Sequence, residues 1–347
     1  MDKSIRLKTA YYTDCDDETK ELYLETYIKY KAAFKLEVLF DDNDFFVSYI
    51  LENSDIPSEI ISTPSQKKLF YAKQFFDKKL SQEFTQSQLK ELLQKVDQTK
   101  VLTYSVQDKS EATLIFETTN DRGKQLTNLE KTKSFMMYKT YISSDEPDSM
   151  LSKIQSRFSE IYKSYSSIDH LIDENSILQY NFIAYEDWKI TQQKKEYQIY
   201  MDMMKNKVND LIKNDKKDKT LKYIDGYTKN LRETFSVMSS ILSLDIPELA
   251  DIQILGNMAN FYPLLIKAYR YDMTEDRRKF RKVCRLIEIF SFRVYSICDG
   301  MANKGQTRLY TIAKEFRGDY EKLYADLKVA ILAFSSDKNF IENLSEC

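Results

Sequence analysis

Six glycines and five prolines are all the backbone punctuation in a chain of 347 residues, where an average globular sequence carries roughly 12% of the two combined. Sandwiches, barrels and propellers use these residues at nearly every corner, and phosphate-loop enzymes need glycine wherever backbone approaches a ligand. No GxGxxG or GxxxxGK[ST] string occurs. What remains is a mainly α protein built of long helices with few short strands. Its 42% hydrophobic and 31% charged residues can furnish both a core and a solvated surface, and the length suggests about two domains.

Fifty-two basic and 54 acidic side chains leave a formal net charge of -2, so no chain-wide field draws this protein to nucleic acid. Any such contact has to be a local patch. Cys15, Cys284, Cys298 and Cys347 lie far apart or at spacings that fit no metal site. No signal peptide or bilayer-length apolar run is present, and the expectation is a cytoplasmic protein without membrane contact. The chain has one histidine, His170. HNH nucleases, HExxH proteases, HD-type phosphohydrolases and zinc fingers need imidazole in pairs or fixed strings, so those chemistries are excluded. A triad would have to use His170, which stands among carboxylates with no nucleophile elbow.

Residues 17–35 and 65–80 carry apolar residues at helical spacing. Lys35 to Phe40 (KLEVLF) alternates polar and apolar and predicts a short strand, with helix resuming at Asp44; Val101 to Val106 (VLTYSV) predicts a second strand. After the acidic break SSDEPDS, segments that each form one long helix or a helical pair are expected at 150–165, 176–213, 219–243, 247–270, 275–298 and 305–335. The domain boundary is placed there, giving 1–145 and an all-helical 146–347.

The most distinctive string is TLIFETTNDRGKQLTNLEKTKSFMMYKTYI, Thr113 to Ile142. Gly123 can close one helix, and Thr127 with Glu130 forms a capping box that opens the next. Between them Asn120, Arg122, Gly123 and Lys124 lie on a tight turn facing a helix N-terminus, where backbone N–H groups and two cations would suit an anion; a solvated helix connection is the other reading. Further on, Arg277, Arg281 and Arg285 recur every fourth residue beside Arg278 and Lys282, a basic row that would either track phosphates or pair with internal carboxylates. Arg293, inside the apolar run IEIFSFRVYSI, should be partly buried and need a carboxylate, carbonyl or phosphate partner. Pro147-Asp148 with Asp187-Trp188-Lys189 spells a PD…DxK nuclease pattern, but the second part reads as helical, whereas that chemistry needs the carboxylates on adjacent strands.

Residues 35–142 resemble the ParB-like N-terminal module of the GmrSD-type modification-dependent restriction proteins, a phage-defence family. IFETTNDRGKQLTNLEKTKSF is the specific match; SILQYNFIAYEDW, FYPLLIKAY and RLIEIFSFRVYSICDGMANKGQTRLYTIAKEF are similar to the family's helical continuation. The first domain would then be the remnant of a ParB-like α/β module. The family's DGQQR string is absent, as is its HNH nuclease module. The resemblance therefore implies a non-catalytic middle portion, sensing nucleotide or modified DNA, with Asn120, Arg122, Gly123 and Lys124 as one side of a phosphate pocket. It implies a nucleoside triphosphate with Mg in the complete protein, no metal or cofactor assigned to this chain itself, and a partner nuclease subunit or domain. The alternative is a helical protein–protein interaction scaffold with no role in nucleic-acid binding.

Overall fold

The computed structural model describes residues 25–31, 33–38, 40–52, 54–57, 60–61, 63–100, 126–192, 194–298 and 300–346. Among the described residues the fold is mainly α with two very short strands, and the chain divides into two compact units, Met1–Ser105 and Val106–Cys347.

In the first unit an antiparallel pair, β1 (Lys29–Tyr30) and β2 (Ala33–Phe34), precedes α1 (Phe40–Phe45), which runs on as a π-helical turn, Phe46–Leu51. Then come α2 (Pro64–Glu83) and α3 (Gln86–Asp97). Thr63 caps α2, its hydroxyl accepting from Gln66 N–H at 3.1 Å and donating to Asp42 at 2.6 Å; Thr85 and Gln88 form a reciprocal capping box on α3. Ile28, Phe45, Phe46, Tyr49, Ile50 and Leu51 make the core, and Phe70 of α2 stacks on Tyr49 with centroids 5.3 Å apart.

Two expectations fail here. Described residues 25–35 of the expected 17–35 helix make one helical turn and then the hairpin, with Lys31 at φ 55°. Spacing could not reveal this, because Ile28 and Phe34 reach the same core from a hairpin as they would from a helix. The expected strand at 35–40 is not one: Leu36 and Val38 pack on the core from unladdered chain, and α1 begins at Phe40. The second expected strand, Val101 to Val106, lies outside the described residues.

The second unit is wholly helical among its described residues apart from an Ile190–Lys195 bridge. It contains α4 (Asn128–Ser143), α5 (Asp148–Ser166), α6 (Glu174–Tyr185), α7 (Tyr200–Lys213) and α8 (Lys217–Leu242). There follow α9 (Pro247–Leu255), α10 (Tyr262–Tyr271), α11 (Arg278–Ser291), α12 (Gln306–Glu315), α13 (Tyr320–Phe334) and α14 (Asp337–Glu346). Ile224, Tyr227, Leu231, Phe235, Met238 and Ile241 recur every three or four residues along α8 and are all buried. Around that stripe pack α4, α5, α6, α7 and α10. At roughly 1.5–3 kcal/mol for each large apolar side chain removed from water, it is a principal source of cohesion in the unit.

The boundary expected at 145/146 falls instead at 105/106, because α4, which the sequence pattern assigns to the first domain, buries Leu129 and Met136 in the core shared with α5 and α8. The expected 176–213 helical run is interrupted after Tyr185. Trp188 turns inward there, donating its indole N–H to Ile183 O at 2.9 Å and meeting Tyr197 edge-on, so Asp187-Trp188-Lys189 is extended chain and not helix.

Gly305 stands at the N-cap of α12 with φ 76°, and a Cβ there would lie 2.7 Å from Phe290 Cζ and 3.1 Å from Phe334 Cδ2. Gly305→Ala therefore meets both backbone strain and the rings of a filled core, and should cost about 2 kcal/mol or more. A lowered urea midpoint is the expected result; an unchanged one would show that neither constraint operates.

Candidate functional site

The turn residues Asn120, Arg122, Gly123 and Lys124 lie outside the described residues. The helix that follows them is described. Thr127 accepts from Glu130 N–H at 3.3 Å while Glu130 accepts from Thr127 N–H at 2.8 Å, the reciprocal capping box. The start of α4 is also tied to α6: Leu129 N–H donates to Glu174 Oε1 at 3.1 Å, and the Asn128 amide donates to Asn175 at 2.6 Å.

The basic row is shorter than its spacing suggests. Arg277 is not part of α11; it precedes the helix at φ 52° and turns back, donating to the carbonyls of Tyr269 and Asp272 with its guanidinium 4.1 Å from the Tyr269 ring centroid. Arg281 and Arg285 both reach Glu248 Oε1, at 3.2 and 3.4 Å. Burial works against ionisation of Glu248, yet its own backbone N–H and the two guanidiniums prevail and hold its carboxyl below the usual range. Lys282 lies 3.9 Å over the Tyr324 ring, and Arg278 is exposed. One carboxylate thus compensates much of the ridge.

Arg293 is half-buried at the turn after α11, donating to Ser335 O at 2.8 Å, to Ser335 Oγ at 3.2 Å and to Asp337 at 2.6 Å. His170 is exposed beside Asp169 in the turn after α5. Asp187 is exposed and pairs with Lys314 at 3.4 Å, while Asp148 lies exposed at the start of α5. No group of three or more His, Cys, Asp or Glu side chains among the described residues is placed to hold a metal. Burial pushes the Cys284 thiol well up, and the nearby Glu248 carboxylate adds to it, which is the signature of an unreactive core cysteine. No described helix is long and apolar enough to cross a membrane.

What the structure does assemble is a cleft of about 410 Å³ on the helical unit. Helix α5 contributes Glu160, α8 contributes Arg232 and Glu233, α10 contributes Arg270, and the segment before α11 contributes Arg277. Arg270 pairs with Glu233, donates to Asn230 at 3.0 Å and stands 5.1 Å over the Tyr185 ring. Arg232 approaches Glu160 and Glu233 only to 3.6 Å, beyond hydrogen-bonding distance. Three guanidiniums thus face two carboxylates. The sequence pattern places Arg277 on the ridge and does not single out Arg232 or Arg270; the available signal was Arg270 inside the apolar run FYPLLIKAYRY, the cue that did mark Arg293.

The same run carries Lys267, buried with its ammonium donating to Lys314 O at 3.1 Å near the C-terminal end of α12. Burial, then the positive charges of Arg317 and Arg270, lower its pKa from 10.5 to about 7. No family model, curated protein or solved structure matches this chain.

Because the folded chain releases this proton near pH 7 while the unfolded chain keeps it to about 10.5, the unfolded state binds more protons between the two values, so Lys267 makes stability rise with pH across that window. Lys267→Met should accordingly raise the urea midpoint, relative to the parent, more at pH 6 than at pH 9. An equal change at both pH values would show that Lys267 keeps an ordinary pKa.

Proposed function

We propose that this chain is a non-catalytic helical portion of a GmrSD-like restriction and anti-phage defence protein, working in nucleotide or modified-DNA sensing. The observation that carries the reading is the junction at Thr127. The string that resembles the family, IFETTNDRGKQLTNLEKTKSF, ends in a helix whose N-terminus is capped by its own sequence and pinned to α6 through Glu174 and Asn175. An anion held by Asn120, Arg122, Gly123 and Lys124 would precede that pinned terminus in the chain; the N–H groups of Thr127, Leu129 and Glu130 are already taken by Glu130, Glu174 and Thr127, so the two cationic side chains would carry it. Helix α4 in turn packs on α5 and α8, a path by which occupancy of the turn reaches the helical unit and a partner nuclease.

A second reading, a helical interaction scaffold with no role in nucleic-acid binding, is favoured by one observation of its own. Glu248 is shared by Arg281 and Arg285, as in a ridge whose charge is spent inside the molecule and not on phosphates.

Titration of the full chain with a labelled nucleoside triphosphate, and separately with modified duplex DNA, separates the two. The sensing reading expects saturable binding that Arg122→Ala weakens by roughly tenfold, the usual loss when a charge-assisted contact is removed. Absence of binding by the parent, or equal binding by both proteins, would leave the scaffold reading standing.

A further inference from the structure

We infer that the cleft between α5, α8 and α10 is a binding site for a small molecule bearing a diphosphate or comparable multiply charged phosphate group. The inference does not rest on the family resemblance, because none of its residues belongs to the motif that carries it.

Four observations converge. Three arginines from three separate segments face one concavity, and only two carboxylates, Glu160 and Glu233, line it with them; the cleft keeps a net positive charge in a partly dry setting, where electrostatic attraction exceeds its value in water. Asp272, the other acidic group nearby, is turned away: its carboxylate accepts from Thr274 N–H at 2.9 Å, Thr274 Oγ at 2.6 Å and Phe280 N–H at 2.8 Å.

The guanidiniums are also pre-positioned without being saturated. Arg277 spends Nη1 on two carbonyls and rests on Tyr269, which fixes the plane while Nε and Nη2 remain for a ligand. Arg232 makes ion pairs at 3.6 Å and no hydrogen bond, so its planar fork is available to a phosphate in the bidentate geometry that favours arginine over lysine. Arg277 adopts φ 52°, a left-handed conformation that costs energy for a residue with a Cβ and that clusters at ligand clamps.

Size and lining fix the ligand class further. About 410 Å³ lies within the roughly 300–1,000 Å³ typical of small-molecule sites and is more than a lone phosphate would fill. Val237 and the 88% exposed Met273 form an apolar lip against which the uncharged part of the ligand would lie.

Calorimetric titration of the full chain with inorganic pyrophosphate, and then with a nucleoside diphosphate, tests this. The expected result is one saturable site per chain, weakened roughly tenfold or more in Arg232→Gln and unchanged in Arg285→Gln, whose partner Glu248 lies outside the cleft lining. Arg232 makes no hydrogen bond that folding would miss, so its variant should keep the parent's helical circular dichroism, whereas Arg277→Gln loses structural bonds and serves only as a second variant. Tighter binding of the nucleoside diphosphate than of pyrophosphate would assign the apolar lip to the base and sugar; equal affinity would assign the site to the diphosphate alone. Absence of a saturable heat, or retention of full affinity in Arg232→Gln, would overturn the proposal. Binding lost in Arg122→Ala but intact in Arg232→Gln would overturn it too, while leaving the sensing role of the Arg122 turn in place.

Discussion

The helical unit depends on one amphipathic helix being enclosed on nearly all sides. The buried stripe of α8 touches α4, α5, α6, α7 and α10, and these helices also meet one another around it, α4 with α5 and α6, and α6 with α10. Isolated helices of such lengths are marginal in water, and most of their stability comes from burying an apolar face. The polar residues on α8's flanks are therefore held as firmly as the core beneath them. Arg232 and Glu233 lie beside Leu231, Thr234 and Phe235, and their placement relative to Arg270 on α10 follows from how α8 and α10 pack.

Charge is handled by a different rule in each part of the unit. A buried glutamate of α9 gathers two arginines of α11, and the second oxygen of Glu248 is buried with no partner, so the ridge is balanced at the expense of an unsatisfied acceptor. In α10 a buried lysine has no carboxylate at all and relies on the Lys314 carbonyl at the end of α12, a helix terminus that favours positive charge. Arg317 donates to the same carbonyl. Burial disfavours the Lys267 ammonium most, and the repulsion of Arg317 at the shared acceptor adds to it, so Lys267 yields its proton readily. The Arg232, Arg270 and Arg277 cleft lies between these extremes, with carboxylates present but fewer than the guanidiniums they face.

How much of this could be read in the sequence follows from which constraints are local. Scarcity of glycine and proline is a property of every turn at once, and it announced the helical fold. Helices with long, regular apolar spacing were legible nearly to their ends: 65–80 became Pro64–Glu83 and 219–243 became Lys217–Leu242. The Thr127 and Glu130 capping box was legible because both partners lie within four residues. The hairpin at Lys29 to Phe34 was not, since its turn uses Lys31 and lacks the usual Asn-Gly chemistry. Nor was the break at Trp188, which is decided by Tyr197 and by the packing beyond it. The cleft was least legible of all, because Glu160, Arg232 and the Arg270–Arg277 segment lie far apart in the chain, and only Arg270 carried a local cue.

Helix α4, which starts a few residues after Arg122, packs on α5 and α8, and those helices supply Glu160, Arg232 and Glu233 to the cleft. A ligand that ordered the start of α4 would act on elements that also set the spacing of the cleft's charges. Conversely, a phosphate drawing Arg232 from its 3.6 Å pairings with Glu160 and Glu233 would act on α8 and on its contact with α5. Coupling of that kind requires each ligand to prefer one arrangement of the shared helices, and linkage makes the effect reciprocal. The close-packed stripe of α8 favours such transmission, because a well-filled core moves between discrete packings and does not deform freely. The enclosure that makes the unit stable thus also ties α4 to the helices that carry Glu160, Arg232 and Glu233.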